Sequence, residues 1–402
     1  MYRMGFFSSS SGRGNRVLIL DIRSSSVGGA LVEYKEPSHG QGKTLPSIIY
    51  TTRKDLIFQE DLNFEIFLEM MLKSLEEVVV DVLHAKLGAP SAIYCVLASP
   101  WYASQTRVVT LAKNTPFIFT KKFAQELIDK EIALFQSEQV TKYQELGQAV
   151  RTIEEQTIEV ALNGYSVKDP IGKQARELSM TLFLSFSPEV VIKAIENSIH
   201  KHFHNRHIAY YTFAFASFIT LRDLFMNEDT FLLVDVGGEI TDISIVKNDL
   251  LLQSVSFPFG KNFLLRKISK ALGKSGGEAL SLYRMYADMK LEKNTIDQLA
   301  KILAEARVEW LTQFQHSLED ISKEFTLPDT IFMTADRDTV SWFVDTLHAE
   351  EFHQYTSTKS TFKIVTLTPQ LVSEYIHFGS DMPRDLAIML ETIFLTRIKG
   401  VK

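Results

Sequence analysis

Two aspartates carry the chemistry that this sequence suggests. Asp21 follows the apolar run Val17–Leu20, and Ile22-Arg23-Ser24-Ser25-Ser26 leads on to a second apolar run at Ala30–Val32. Asp235 follows Phe231–Val234, and Val236-Gly237-Gly238-Glu239-Ile240-Thr241-Asp242 leads on to Ile243–Val246. Laid over one another, the stretches beginning at Ile19 and Leu233 share an apolar pattern without a gap, with Asp21 on Asp235. A strand, a turn of small residues and a second strand make a hairpin. Small residues let the backbone approach a phosphate, and successive N–H groups in the turn form a concavity for an anion. The aspartate cannot favourably touch phosphate, but it can hold a divalent cation such as magnesium through water. One such hairpin is equally an ordinary turn. Two of them half a chain apart predict duplicated halves facing each other across a triphosphate.

The chain that must position these hairpins has 402 residues, enough for two or three domains. Its 45% apolar and 23% charged residues are those of a folded globular protein. Lys+Arg 43 against Asp+Glu 49, with a pI near 6.0, argues against nucleic-acid binding through a broad basic surface. The single cysteine, Cys95, excludes an internal disulfide and a Cys-based structural zinc site. No run approaches the roughly 18 apolar residues of a membrane span. Residues 1–15 predict a flexible leader without the apolar core of a signal peptide. The expected location is the cytoplasm.

Leu68, Met71, Leu72, Leu75 and Val79 recur at helical spacing within Asp61–Lys86. A separate unit is predicted from Ala92 to Phe186. It opens with the strand-like Ala92–Leu97, continues through Arg107–Thr110, and has a helix capped by Thr120. Thr157–Leu162 and Leu178–Ser185 follow as strands around the turn Asp169-Pro170-Ile171-Gly172. Ser187-Pro188-Glu189 predicts the next helix start, with a hydroxyl cap and proline at the first helical position.

The chain resembles the actin-like ATPase superfamily, and within it the bacterial branch of the division protein FtsA and the pilus-assembly protein PilM. Asp21–Val27 resembles that branch's Asp-Ile-Gly-Ser-Ser-Ser-Val hairpin, and Asp235–Asp242 its Asp-Ile-Gly-Gly-Gly-Thr-Thr-Asp hairpin. The strand-helix-strand-strand order after Ala92 resembles the branch's inserted SHS2 subdomain. Pro258-Phe259-Gly260-Lys261-Asn262 resembles its Pro-x-Gly-Gly-Asn segment. The resemblance implies an α/β, two-lobed actin-like (ribonuclease H-like) fold. Residues 16–91 and 187–228 would form the first lobe and 92–186 the SHS2-like insert. Residues 229–402 would form the second lobe, with a helical insert at about 267–325. It also implies that ATP and magnesium lie against Asp21, Arg23, Ser24, Ser25, Ser26, Asp235, Gly237, Gly238, Thr241, Asp242 and Thr334. Asp21 and Asp235 would hold the metal through water, with Thr241 and Asp242 near the γ-phosphate.

Four positions depart from that pattern. Arg23 stands where the first hairpin has glycine and puts a long side chain at the place of a β-phosphate. Gly28 stands where the pilus branch often has a basic residue. Glu239 replaces the third glycine of the second hairpin and adds negative charge facing a phosphate, which a desolvated site disfavours. After Ile331–Thr334, a Gly-Gly turn that would lie against adenine and ribose is replaced by Ala335-Asp336-Arg337. Together they predict a nucleotide site weakened or lost.

Other candidates are weaker. His200, His202, His204 and His207 could ligate a transition metal, and they equally fit a solvated helix end. Cys95 sits in an apolar strand without a basic partner and reads as inert. Leu386, Met389, Leu390, Ile393, Phe394 and Ile398 read either as a membrane-surface helix or as a terminal core helix, and apolar residues around most of the circumference favour the core. The resemblance implies a scaffold at the inner face of the cell membrane that recruits an inner-membrane partner's cytoplasmic tail in type IV pilus assembly, with self-association open. The alternatives are an FtsA-like adaptor that tethers the division ring and a working Mg-ATP-dependent ATPase.

Overall fold

The computed structural model describes residues 15–34, 44–143, 149–204, 207–350, 352, 361–379 and 382–400. The chain opens with β1 (Asn15–Ile22), β2 (Ser26–Tyr34), β3 (Ser47–Asp55), α1 (Phe64–His84) and β4 (Ala92–Leu97). Next come β5 (Ala103–Ile118), α2 (Lys121–Tyr143), β6 (Val150–Leu162), the two-residue β7 (Tyr165–Ser166) and β8 (Gln174–Pro188). α3 (Glu189–His200), β9 (Ile208–Thr212) and α4 (Phe213–Leu224) follow. The second half has β10 (Phe231–Val236), β11 (Thr241–Lys247), β12 (Leu250–Phe257), α5 (Lys261–Leu272), α6 (Gly276–Ala287) and α7 (Lys293–Ser322). It continues with β13 (Thr330–Ala335), α8 (Val340–His348), β14 (Lys363–Thr366), α9 (Pro369–Val372), β15 (His377–Phe378) and α10 (Leu386–Gly400).

These strands form three sheets, ordered β15-β3-β2-β1-β4-β9, β12-β11-β10-β13-β14 and β5-β8-β6-β7. In the first, β1 pairs antiparallel with β2 and parallel with β4; in the second, β10 pairs antiparallel with β11 and parallel with β13. The repeat seen in the sequence is therefore a repeat of topology. Both central strands are apolar on both faces because helices cover both sides. Leu18, Leu20 and Ile22 pack with α1 and α3, while Val17 and Ile19 face the other way onto α4 and α10. Leu232, Val234 and Val236 pack with α5, α7 and α8, while Phe231 and Leu233 join the same core as Val17 and Ile19. One apolar core thus runs between the two large sheets.

The third sheet is antiparallel, with α2 laid on it through Ile128 and Phe135 beside Phe119, Leu178 and Met180. Phe183 of β8 stacks on Phe215 of α4, centroids 4.9 Å apart, and fixes this unit to the shared core.

Three expectations are corrected. Ala92–Leu97 does not open the inserted unit: it lies between β1 and β9, and all six of its residues are buried, as a central strand requires. The C-terminal segment does not belong with the second sheet. β15 pairs with β3, and α10 packs against α4, β1 and β2, with Ile388, Met389, Leu390, Phe394 and Leu395 fully buried. Ser187 does not cap α3, because β8 runs straight into that helix with Pro188 at the cap, and the Ser187 hydroxyl donates to the Trp101 carbonyl. Of the expected leader, residues 1–14 lie outside the described residues. Among the described residues no helix is long and apolar enough to cross a membrane.

Candidate functional site

The alternation of side chains along a strand decides where the two aspartates point. Val17 and Ile19 face the shared core, so Asp21 is the next residue on that face; Phe231 and Leu233 do the same for Asp235. Each aspartate lies one residue before its strand ends, and the turns have matching closures. Arg23 N–H donates to the Ser26 carbonyl at 3.0 Å, and Gly237 N–H to the Ile240 carbonyl at 2.9 Å.

The two turns touch. Glu239 N–H donates to Ser24 Oγ at 3.0 Å, and a β-carbon on Gly238 would lie 2.4 Å from Ser25 Cβ. Gly238 is required by that approach. Behind the second turn, the Lys261 and Asn262 amides at the start of α5 are already used by the Gly237 and Gly238 carbonyls, at 2.9 and 2.7 Å.

Arg23 lies between the aspartates. Its Nε is 3.2 Å from Asp21 Oδ2, and its Nη1 is 3.4 Å from both carboxylate oxygens of Asp235. Below it, the Phe213 ring meets the guanidinium carbon at 3.9 Å, a cation–π contact. Asp235 also accepts from Thr334 Oγ1 at 2.6 Å. Asp242, beside Asp235, accepts from Ser99 at 2.9 Å and from Ser256. Burial pushes its carboxyl up to about 7, against the hydrogen bond from Ser256, and the neighbouring Asp235 charge adds to the rise. The cavity at this place, lined by Tyr102, Phe213, Leu233, Asp235, Asp242 and Ser244, measures ≈ 10 Å³. That is about one water, where ligand pockets run to about 300–1,000 Å³.

Three residues of this network were not foreseen from the sequence. Arg53 on β3 donates to Asp21 Oδ2 at 2.6 Å, to Ser26 Oγ at 2.8 Å and to Asp385 Oδ2 at 2.5 Å. Asp385 in turn accepts from the Ala387 and Ile388 amides and so caps α10. Glu391, fully buried on α10, is raised well above the ordinary carboxyl range by burial and then by the adjacent Asp21 charge. Asp21 Oδ1 and both Glu391 carboxyl oxygens are buried without a hydrogen-bond partner, so a proton retained on Glu391 is what a carboxyl–carboxylate contact between the two requires. The signal for all three is long-range strand register and helix packing, which local pattern does not carry.

The structure brings Asp21, Arg23, Ser24, Ser25, Ser26, Asp235, Gly237, Gly238, Asp242 and Thr334 to one place, and leaves Thr241 outside it. The Thr241 hydroxyl donates instead to the Phe259 carbonyl at 2.8 Å, because it lies on the opposite face of β11 from Asp242. The expectation that Glu239 faces a phosphate is also corrected. Its carboxylate turns to Asn262 Nδ2 at 2.7 Å and to the Arg266 guanidinium. At the other end of the cleft, Lys261 pairs with Asp336 at 2.7 Å. Burial opposes ionisation of Asp336, but the Lys261 charge, the hydrogen bonds from Lys261 and the Asp338 amide, and the Arg284 charge together hold the carboxyl below its usual range. Among the described residues no group of three or more His, Cys, Asp and Glu is arranged for a metal ion, the four histidines at and beyond the end of α3 included.

No family model and no curated protein matches the chain. A solved PilM-PilN type IV pilus biogenesis complex is similar, with a TM-score of 0.60 at 16% identity, over 97% of this chain and 100% of that one. MreB 5 of Spiroplasma citri bound to AMPPNP is similar at a TM-score of 0.45 and 10% identity, covering 96% of this chain and 97% of that one. A Bacteroides thetaiotaomicron protein of actin-like ATPase fold and unknown function gives 0.38 at 10% identity, over 89% and 92%. This chain has the actin-like ATPase fold. The touching turns lie where the two halves of that fold meet, and β5–β8 form a unit inserted between β4 and α3 of its first half.

Proposed function

We propose that this chain is an actin-like scaffold of the PilM type. It docks the cytoplasmic tail of an inner-membrane partner in type IV pilus assembly and sits through that partner at the inner face of the membrane. The inserted unit is, on this reading, an SHS2-like docking subdomain.

The observation that carries the reading is a groove of ≈ 280 Å³ between β6 and β9. β9 ends the six-stranded sheet, and β6 is bordered on its outer side only by the two-residue β7 at its far end. Two sheet edges therefore face each other across the groove. At one end, Glu154 of β6 accepts from the Thr212 amide at 3.0 Å and from its hydroxyl at 2.8 Å. Ile93 N–H bonds the His207 carbonyl, so the alternation in a parallel pair turns the backbone groups of Ile208 and Tyr210 towards the groove. Edge backbone of this kind binds an extended peptide as an added strand. The likeness over the full length of a chain from a PilM-PilN complex supports a tail as that peptide.

The reading is tested by calorimetric titration of the full chain with a synthetic cytoplasmic tail of an inner-membrane pilus assembly protein. Binding is expected, with at least a tenfold loss in Ile208→Pro. Proline at the first residue of an edge strand removes one N–H while leaving the sheet intact. A tail that fails to bind, or binds the variant equally well, defeats the proposal. Binding of a division-ring protein's tail in its place would move the chain to an FtsA-like adaptor role.

A further inference from the structure

Magnesium and ATP are the ligands that two facing phosphate hairpins suggest, and the residues present do not fit them. A triphosphate needs space between the turns, yet Ser24 bonds the Glu239 amide and Gly238 rests against Ser25. A cation needs the space between Asp21 and Asp235, yet the Arg23 guanidinium stands there and is clamped by Phe213. The nucleoside end is filled as well. Lys261 takes the second glycine position of the Pro-x-Gly-Gly-Asn pattern, Asp336 lies in the turn where Gly-Gly is expected, and the two bond each other.

We propose that Arg23 is a built-in substitute for the cation and phosphate of this cleft, an internal ligand that holds the two halves closed without nucleotide.

Electrostatics explains the substitution, with Arg53 pairing Asp21 from the β3 side and Arg23 standing between the two aspartates. Asp21 and Asp235 are almost fully buried, and two carboxylates converging in such a site repel unless a cation lies between them. Magnesium would supply that charge from solution; Arg23 supplies it from the chain, in a planar fork suited to two carboxylates. Its backbone is fixed too, since the Arg23 carbonyl accepts from Trp101 Nε1 at 3.1 Å. A second tie crosses the cleft above it. Arg266 of α5 bonds Glu239 and the Gln59 carbonyl, while Phe58 lies where a β-carbon on Gly276 would fall, 2.2 Å from its ring. Closure is thus built from side chains at every level where a nucleotide would otherwise bridge the halves. The proposal concerns the cleft and not the β6–β9 groove, so either can fail alone.

The test uses the full chain with magnesium chloride and Mg-ATP as probes. Calorimetric titration of the wild type with either at millimolar concentration should give no binding heat, and its melting temperature should be the same in magnesium and in EDTA. Arg23→Gly should melt lower in EDTA, by at least several degrees, and recover part of that loss in magnesium. Arg23→Gln, which keeps the length without the charge, should show the same cation dependence. Saturable binding of Mg-ATP to the wild type overturns the proposal. So does an Arg23→Gly or Arg23→Gln variant that is as stable as wild type in EDTA. If neither variant folds under any condition, the wild-type titration alone decides, since an internal ligand must exclude the external one.

Discussion

The guanidinium of Arg53 lies over the backbone of Gly28. The two residues are cross-strand partners in β2 and β3, and a β-carbon on Gly28 would meet Arg53 Nη2 at 2.6 Å. Gly28 has no side chain, so the positive charge beside the first hairpin at this place comes from the neighbouring strand. Arg53 then ties Asp21 to Asp385 and α10 to the hairpin.

This arrangement predicts a large effect from either partner. Arg53→Met leaves Asp21 and Asp385 without their main cation and is expected to cost about 3 kcal/mol in urea unfolding at neutral pH. Gly28→Ala displaces the guanidinium and is expected to cost about 1–3 kcal/mol. The double variant should cost less than the sum, since both act on one contact. Strict additivity would show that Gly28 is needed for some other reason.

Two glycines to alanine should behave in opposite ways. Gly238→Ala forces the hairpin tips apart and is expected to destabilise by about 2 kcal/mol or more. Gly277, in the first turn of α6, has open space around its would-be β-carbon. Gly277→Ala is expected to be neutral or to stabilise by about 0.5 kcal/mol. Paired melting curves check both, and equal effects would contradict the contact at Ser25.

Glu154 gives a pH dependence with a definite sign. Burial pushes its carboxyl up to about 8, partly offset by the hydrogen bonds from Thr212 and Gln156. In the unfolded chain it ionises near 4.5. Between those values the folded state holds a proton that the unfolded state has released, so stability falls as pH rises. Its contribution is complete below about pH 4.5 and lost by about pH 8. Glu154→Gln keeps the acceptor for Thr212 and removes the titration. The slope of unfolding free energy between pH 5 and 8 should be shallower in the variant, and an unchanged slope refutes the assignment.

How much of this was legible in the sequence follows from distance along the chain. The two hairpins were visible because each is local: strand, aspartate, small turn, strand. Their facing was implied by the repeat. The network around Asp21 is not visible in the sequence, because Arg53 reaches Asp21 through β2–β3 register, while Asp385, which Arg53 also holds, and Glu391 sit on a helix that returns from the C-terminus to β1. Ala92–Leu97 directly precedes the insert in sequence, and only the burial of all six residues marks it as a central strand of the first sheet. The direction of Glu239 is not legible from the turn, since turn identity does not reveal that Arg266 on α5 takes its carboxylate.

Glu391 supplies the last and sharpest prediction. It is fully buried in α10, burial and then the adjacent Asp21 charge favour its protonated form, and a donor from it to Asp21 Oδ1, which has no other partner, follows from that proton. Glu391→Gln preserves shape and an N–H donor, so it should fold with wild-type stability at neutral pH. Glu391→Ala leaves Asp21 Oδ1 buried without a donor and opens a cavity, at a cost of about 2–4 kcal/mol. The sign of the pH effect separates the variants further. A carboxyl raised in the folded state stabilises fully below its unfolded value, and that contribution is lost as pH rises. Wild type should therefore lose stability from pH 5 towards alkaline pH by more than Glu391→Gln. Were the glutamine variant strongly destabilised at pH 7, Glu391 would have to be ionised in the native state, and the carboxyl–carboxylate bond to Asp21 would be wrong.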